Sequence, residues 1–159
     1  MGYGWSAKGT CNVQKWCKTI TSKATIDMEI KRIDDEAKHR GVETRYDNGQ
    51  LESRANYKNG KRDGLRESWY ESSQPWSRAN YKNGKRDGLR EAWYENGKQL
   101  SRANFKNGRL NGLCELWYES GQLKSREVYK NGKLDGLRET WGMDGQLKEH
   151  ATYKNGVKQ

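Results

Sequence analysis

Residues 81–100 read YKNGKRDGLREAWYENGKQL, with Asn83-Gly84 near one end and Asn96-Gly97 near the other. Asn-Gly is a strong short-range hairpin signal, because a type I′ turn needs positive φ at both central residues and these two residue types tolerate it. Between the two pairs lie Leu89, Trp93 and Tyr94 among polar residues, broken by Gly88. That segment is too short and too glycine-punctuated for a helix, so it reads as a strand between two hairpin turns.

The stretch recurs in both directions at a period of 24 residues, and self-similarity at a fixed period marks a repeat architecture. Trp69, Trp93, Trp117 and Trp141 fall in one column, and Tyr57, Tyr81, Phe105, Tyr129 and Tyr153 in another. Asn-Gly pairs stand at 59–60, 83–84, 107–108, 131–132 and 155–156, followed by a column of Gly64, Gly88, Gly112 and Gly136. Tyr70, Tyr94 and Tyr118 form a fifth column, interrupted by Gly142. A second turn column reads Asn48-Gly49, Ser72-Ser73, Asn96-Gly97, Ser120-Gly121 and Asp144-Gly145. Each repeat is therefore expected to be two antiparallel strands, and consecutive repeats to continue one meander. The fold class is all-β: an elongated, single-layer antiparallel sheet of stacked hairpins.

If both turns have two-residue loops, Glu67 lies opposite Arg78, and the period generates Glu43–Arg54, Glu91–Arg102, Glu115–Arg126 and Glu139–His150. Such opposite-charge cross-strand pairs contribute a few tenths of a kcal/mol each. The same register sets Trp69 opposite Trp76 and Trp93 opposite Leu100. One face then holds Leu, Trp, Glu and Arg; the other holds Ala55, Tyr57, Gly64, Ser68 and Tyr70, with rings covering glycines. The strands differ in length, and a bulge near Asp63-Gly64 would absorb the difference.

Clear repeats run over residues 41–156 of a repeat domain spanning 25–159. Residues 25–35 read as a degenerate outer strand, with Ile26, Met28 and Ile30 alternating, although Ile26, Ile30, Ile33 and Ala37 also suit a helix face. Residues 1–24 match no column and read as an N-terminal arm or cap. The composition is 31% hydrophobic and 33% charged, yet includes seven Trp and nine Tyr. Few aliphatics and many rings suit a thin fold without a thick core. The net charge of +10 is spread along the chain among interleaved acids, so no single-sign stripe is expected.

The string YKNGKRDGLREAWYENGKQL resembles the MORN repeat, in the bacterial variant with an N-G-K-x-x-G-x-x-x-x-[WY]-Y-x-x-G core. The resemblance implies a twisted single-layer sheet of stacked hairpins. For function it implies an antitoxin or immunity-type partner of a toxin, and in the broader class scaffolding or membrane association. The chain departs from the commoner pattern, which has more glycines per unit, and that weakens a transfer of lipid binding.

No catalytic set emerges, and no cofactor or metal is expected. His150 stands in the column of Arg54, Arg78, Arg102 and Arg126, and Cys114 in that of Arg66, Arg90 and Arg138. Both read as drifted repeat positions. Cys11 and Cys17 lack zinc-finger spacing and a second ligand pair. The NGKRDG strings lack the G-x-x-x-x-G-K-[ST] run of a phosphate loop. Three cysteines do not make a disulfide framework, so a reducing, cytoplasmic compartment is the default. No apolar run reaches the roughly 18 residues of a membrane helix.

What remains is a surface. Its candidates are Trp69, Trp76, Trp93 and Trp117 with Arg54, Arg78, Arg102 and Arg126, since Trp and Arg are enriched at binding hot spots. The plainer alternative is that the Trp column is the sheet's own stabilising layer with Arg lying over it. Pro75-Trp76 is a local irregularity that the repeat does not demand. Three functions are expected, in order: a protein-binding module, most simply an antitoxin against an acidic toxin; a scaffold binding anionic lipid; and nucleic-acid binding, ranked last because 21 acidic residues interleave.

Overall fold

The computed structural model describes residue 28 and residues 39–159. The proposed arm 1–24 lies outside the described residues, as does the stretch 25–35 except for Met28, which is helical.

The described strands are β1 (His39–Arg45), β2 (Leu51–Lys58), β3 (Lys61–Trp69), β4 (Pro75–Lys82), β5 (Lys85–Trp93) and β6 (Gln99–Lys106). They continue as β7 (Arg109–Trp117), β8 (Leu123–Lys130), β9 (Lys133–Trp141), β10 (Leu147–Lys154) and β11 (Val157–Lys158). All eleven form one sheet in chain order, the open antiparallel meander that the period implied.

The Asn-Gly turns are type I′: Asn83 and Gly84 have φ of 50° and 81°, and the other four pairs match them. The four turns from Asn83-Gly84 onward are also tied to the repeat before them. The Gly84 amide donates to the Arg62 carbonyl at 2.7 Å and the Asn83 amide to Asp63 Oδ2 at 3.0 Å.

The second turn column departs from expectation. Its loops have three residues rather than two, closed by the Tyr94 amide on the Lys98 carbonyl at 2.8 Å, and only the third loop residue has positive φ. The longer loop moves the adjacent pairing by one residue, so Trp69 faces Pro75 and Trp93 faces Gln99. The proposed Trp69–Trp76 and Trp93–Leu100 pairs are thereby corrected. Residues 76 and 100 are then skipped as bulges, which moves the register back. Glu67 meets Arg78 and Glu91 meets Arg102, as the sequence suggested. The bulge around Asp63-Gly64 is present: Ala55 pairs with Arg66 and Tyr57 with Arg62, leaving 63–65 against Asn56 alone.

The bulges split the residues cleanly between two faces. On one, the buried residues are Ala55, Ala79, Ala92, Ala103 and Ala151 with Ser68, Ser77, Ser101 and Ser125. Small side chains are buried on a one-layer sheet because longer neighbours lean across them. Arg66 and Arg90 share their row, and Tyr81 and Phe105 stand opposite Gly64 and Gly88. Arg62 lies over the Tyr81 ring at 5.6 Å and Arg86 over Phe105 at 5.3 Å. Gly88 is required there, since its φ is 107° and a Cβ would meet Asn80 Cβ at 3.4 Å.

A second device couples the repeats. The hydroxyls of Tyr46, Tyr70, Tyr94 and Tyr118 donate to the carbonyls of Trp69, Trp93, Trp117 and Trp141 at 2.7, 2.9, 2.9 and 2.9 Å. Each tyrosine thus staples its turn to the next repeat. Large rings and short-range bonds between neighbours replace the aliphatic core that the composition denies, as in other quasi-one-dimensional arrays.

Candidate binding surface

The opposite face carries the charges. Its central row runs Glu43, Arg54, Glu67, Arg78, Glu91, Arg102, Glu115, Arg126, Glu139 and His150 across ten strands. The alternation is unbroken because the arginines have glutamates on both sides, in their own repeat and in the next. Glu67 accepts from Arg54 at 2.7 Å and from Arg78 at 2.9 Å. The Arg54 hydrogen bond, helped by Arg78 against desolvation, holds the Glu67 carboxyl below its ordinary value. Further along, Arg126 and His150 pair with Glu115 and Glu139 at 3.1 and 3.2 Å, so His150 occupies the arginine's place in the row. Arg102 lies farther from Glu91, at 3.9 Å.

The Glu–Arg pairs of the row are each neutral but not level. The side chains of Glu67 and Glu115 are 12% exposed, against 54% for Arg78 and 47% for Arg126. Carboxylates lie down on the sheet and guanidiniums stand above them. The outward sign is therefore positive, and donors that the carboxylates leave unused face solvent.

The tryptophans join this row. Arg54 lies 5.9 Å over the Trp69 ring. Trp69, Trp93, Arg78, Glu67 and Pro75 line a shallow hollow of about 130 Å³. Trp117 takes the same strand-end place in the next repeat, and Arg102 and Arg126 continue the row beyond Arg78. Seven of the eight sequence candidates therefore belong to one face. Trp76 does not line the hollow. Its bulge turns it to the Tyr70 ring, at 6.4 Å between centroids, and leaves it 44% exposed. Lys124, two repeats on, sits over Tyr118 in the same way at 5.4 Å, so stacking on the turn tyrosine belongs to this bulge position.

Cys114 is half-buried, and burial pushes its thiol above its ordinary value, the reverse of what a nucleophile needs. Its neighbour Glu127 accepts from Arg138 at 3.0 Å and from Tyr129 at 2.6 Å. Among the described residues no group of His, Cys, Asp and Glu is arranged to hold a metal, and no helix is long and apolar enough to cross a membrane.

One charged feature escaped the reading of the sequence. A single-sign stripe does form, at the edge where the Asn-Gly turns stack. Lysines or an arginine flank the turns at 58/61, 82/85, 106/109 and 130/133, and Lys154 precedes the last. Only Asp63, Asp87 and Asp135 oppose them in the adjoining column. The opposite turn edge carries Asp47, Glu71, Glu95, Glu119 and Asp144. The signal was present in K-N-G-K itself, because a two-residue turn sets its flanking residues directly opposite each other.

An open sheet of stacked hairpins, with rows of outward side chains, defines a tandem-repeat binding scaffold. The MORN repeat variant model matches residues 42–59, 62–83, 86–107, 110–131 and 134–155, and the chain belongs to that family. Among curated proteins none matches it.

Proposed function

We propose that the protein is a non-catalytic, cytoplasmic protein-binding scaffold that docks one partner on the tryptophan–arginine face, in the role of an antitoxin or immunity-type protein that holds a toxin. The observation that carries this reading is the hollow between Trp69 and Trp93, rimmed by Arg78. A guanidinium fixed from below by a carboxylate loses less side-chain freedom on binding than a free one. Rings and preorganised arginines are the usual anchors of protein interfaces. Guanidiniums raised above sunken glutamates suit an acidic partner surface, where opposite potentials speed association. Anionic lipid and nucleic acid both call for uncompensated cations, which this row lacks.

The test is a pull-down of the intact chain from native lysate at low and high salt, read by mass spectrometry, with R78A, R102A and W76K as comparisons. One stoichiometric protein should survive high salt and be lost with R78A and R102A. Its toxicity on expression should be relieved by the intact chain and not by those variants. A partner recovered only at low salt, or one bound equally by R78A and R102A, would overturn the reading.

A further inference from the structure

Across every one of four Asn-Gly turns, like charges face each other directly: Lys58 and Lys61, Lys82 and Lys85, Lys106 and Arg109, Lys130 and Lys133. Directly opposed like charges destabilise a hairpin. A fault kept in four consecutive units marks a place where local stability has given way to another demand.

Stacking concentrates these charges. The stems of Lys85 and Arg109 run beneath the following turns, with their Cβ atoms 3.7 Å from where a Cβ on Gly108 and Gly132 would lie. Their charged ends are thus brought beside Lys106 and Lys130. In most repeats an aspartate tempers the cluster. Asp63, Asp87 and Asp135 accept the amides of Asn83, Asn107 and Asn155 at 3.0, 3.0 and 3.1 Å. Asp135 also pairs with Lys154 at 3.1 Å.

At residue 111 the column changes. Asn111 Oδ1 still accepts the Asn131 amide, at 3.3 Å, so the turn is held. Where Asp87 offers a second carboxylate oxygen, Asn111 offers an NH₂ group, a donor. The groove here has a volume of about 500 Å³, and Lys85, Lys106, Arg109, Lys130 and Asn111 line it with no carboxylate. Its neighbour one repeat earlier, about 560 Å³, contains Asp87. Among the described residues none of these four cations forms a close ion pair, although Lys130 lies near enough to Asp135 to help the Asn155 amide and Lys154 hold its carboxyl below the ordinary value.

We propose that this groove is an anion site, built by the Asn111 substitution, for a compact ligand carrying several phosphate charges. Four cations converging from adjacent turns on one opening match clustered phosphates better than spaced carboxylates, and Arg109 adds a planar fork suited to phosphate oxygens. The site lies on the turn edge and is independent of the tryptophan–arginine face.

The experiment is calorimetric titration of the intact chain with inorganic tripolyphosphate, in parallel with sedimentation of phosphatidylglycerol vesicles. N111D places in this groove the aspartate that other repeats carry, so it leaves the fold intact. N96D is the charge-matched control at the opposite edge, where Asp144 holds the equivalent place. One added charge beside a multivalent anion lowers affinity about tenfold in this range of distance and screening. One tripolyphosphate per chain, weakened about tenfold by N111D and unaffected by N96D, upholds the site with a soluble ligand. Vesicle binding without saturable tripolyphosphate binding would mean that a surface of single phosphates suffices, and would overturn the multi-phosphate site. Equal losses in N111D and N96D would mean that net charge alone acts, and would overturn the proposal. So would the absence of saturable tripolyphosphate binding.

Discussion

Deleting one hydroxyl should weaken the junction between two repeats and leave the rest of the array unchanged. In Tyr94→Phe the ring stays in place, but the 2.9 Å bond to the Trp117 carbonyl, in a half-buried setting, is lost. A bond of this kind contributes about 1 kcal/mol net. For a folded unit of about 120 residues, an unfolding entropy of about 2.1 cal/mol/K per residue makes that a fall in Tm of about 4 °C. The urea midpoint should fall with m unchanged, because little surface is uncovered. Loss of amide protection should concentrate in β5–β7, since each repeat couples only to its neighbours. Tyr81→Phe is the matched control. Its column already holds Phe105, so it should cost less than half as much. Equal losses in the two variants, or no loss in Tyr94→Phe, would refute the staple as the coupling device.

The charge row makes a graded prediction. Glu67→Gln removes a carboxylate bonded by two arginines and should cost about 1 kcal/mol, whereas Glu91→Gln, whose Arg102 partner lies at 3.9 Å, should cost about 0.3 kcal/mol in urea melts. Acid should act through the same groups. The pKa values of Glu67, Asp135 and Glu149 are depressed on folding, so their stabilisation is complete above the unfolded values and is lost as pH falls through the folded ones. Thermal melts should therefore hold steady at neutral pH and fall below the ordinary carboxylate range, with a shallower fall in Glu67→Gln. Gly88→Ala puts a Cβ at a φ of 107° and 3.4 Å from Asn80 Cβ. It should cost about 1–2 kcal/mol by the same melts, more than Ala at an exposed strand position.

The repeat, its strands and its Glu–Arg pairs were legible because columns average over five units and a period of two sorts faces. The loop at the second turn was not. Three-residue loops and two-residue loops share Asn-Gly and Ser-Gly signals, and the bulge at residue 76 hides the difference by restoring the register. The Glu67–Arg78 pair thus came out correctly from a loop length that was wrong, while Trp69, nearer the turn, was paired wrongly. The lysine edge was missed for another reason. Charges interleave along each strand, and their segregation appears only when turns 24 residues apart are stacked.

Deviations from the columns separate structural adjustment from function by whether the molecule compensates them internally. Cys114 replaces an arginine, and its row neighbour Glu127 replaces an alanine; Arg138 and Tyr129 satisfy the new carboxylate, so the change closes on itself. His150 replaces an arginine and still meets Glu139. Two other deviations do not close. Trp76 exposes an indole where the same column carries Glu52, Leu100, Lys124 and Lys148 in the other repeats. Asn111 lines a groove of four cations with an amide where the groove one repeat earlier has Asp87. A repeat lattice can absorb a substitution whose partner lies within it. Where the lattice supplies no close partner, as at Asn111, the surplus charge is available to a ligand. Partner-binding sites on such a scaffold are therefore best sought at uncompensated breaks in its periodicity.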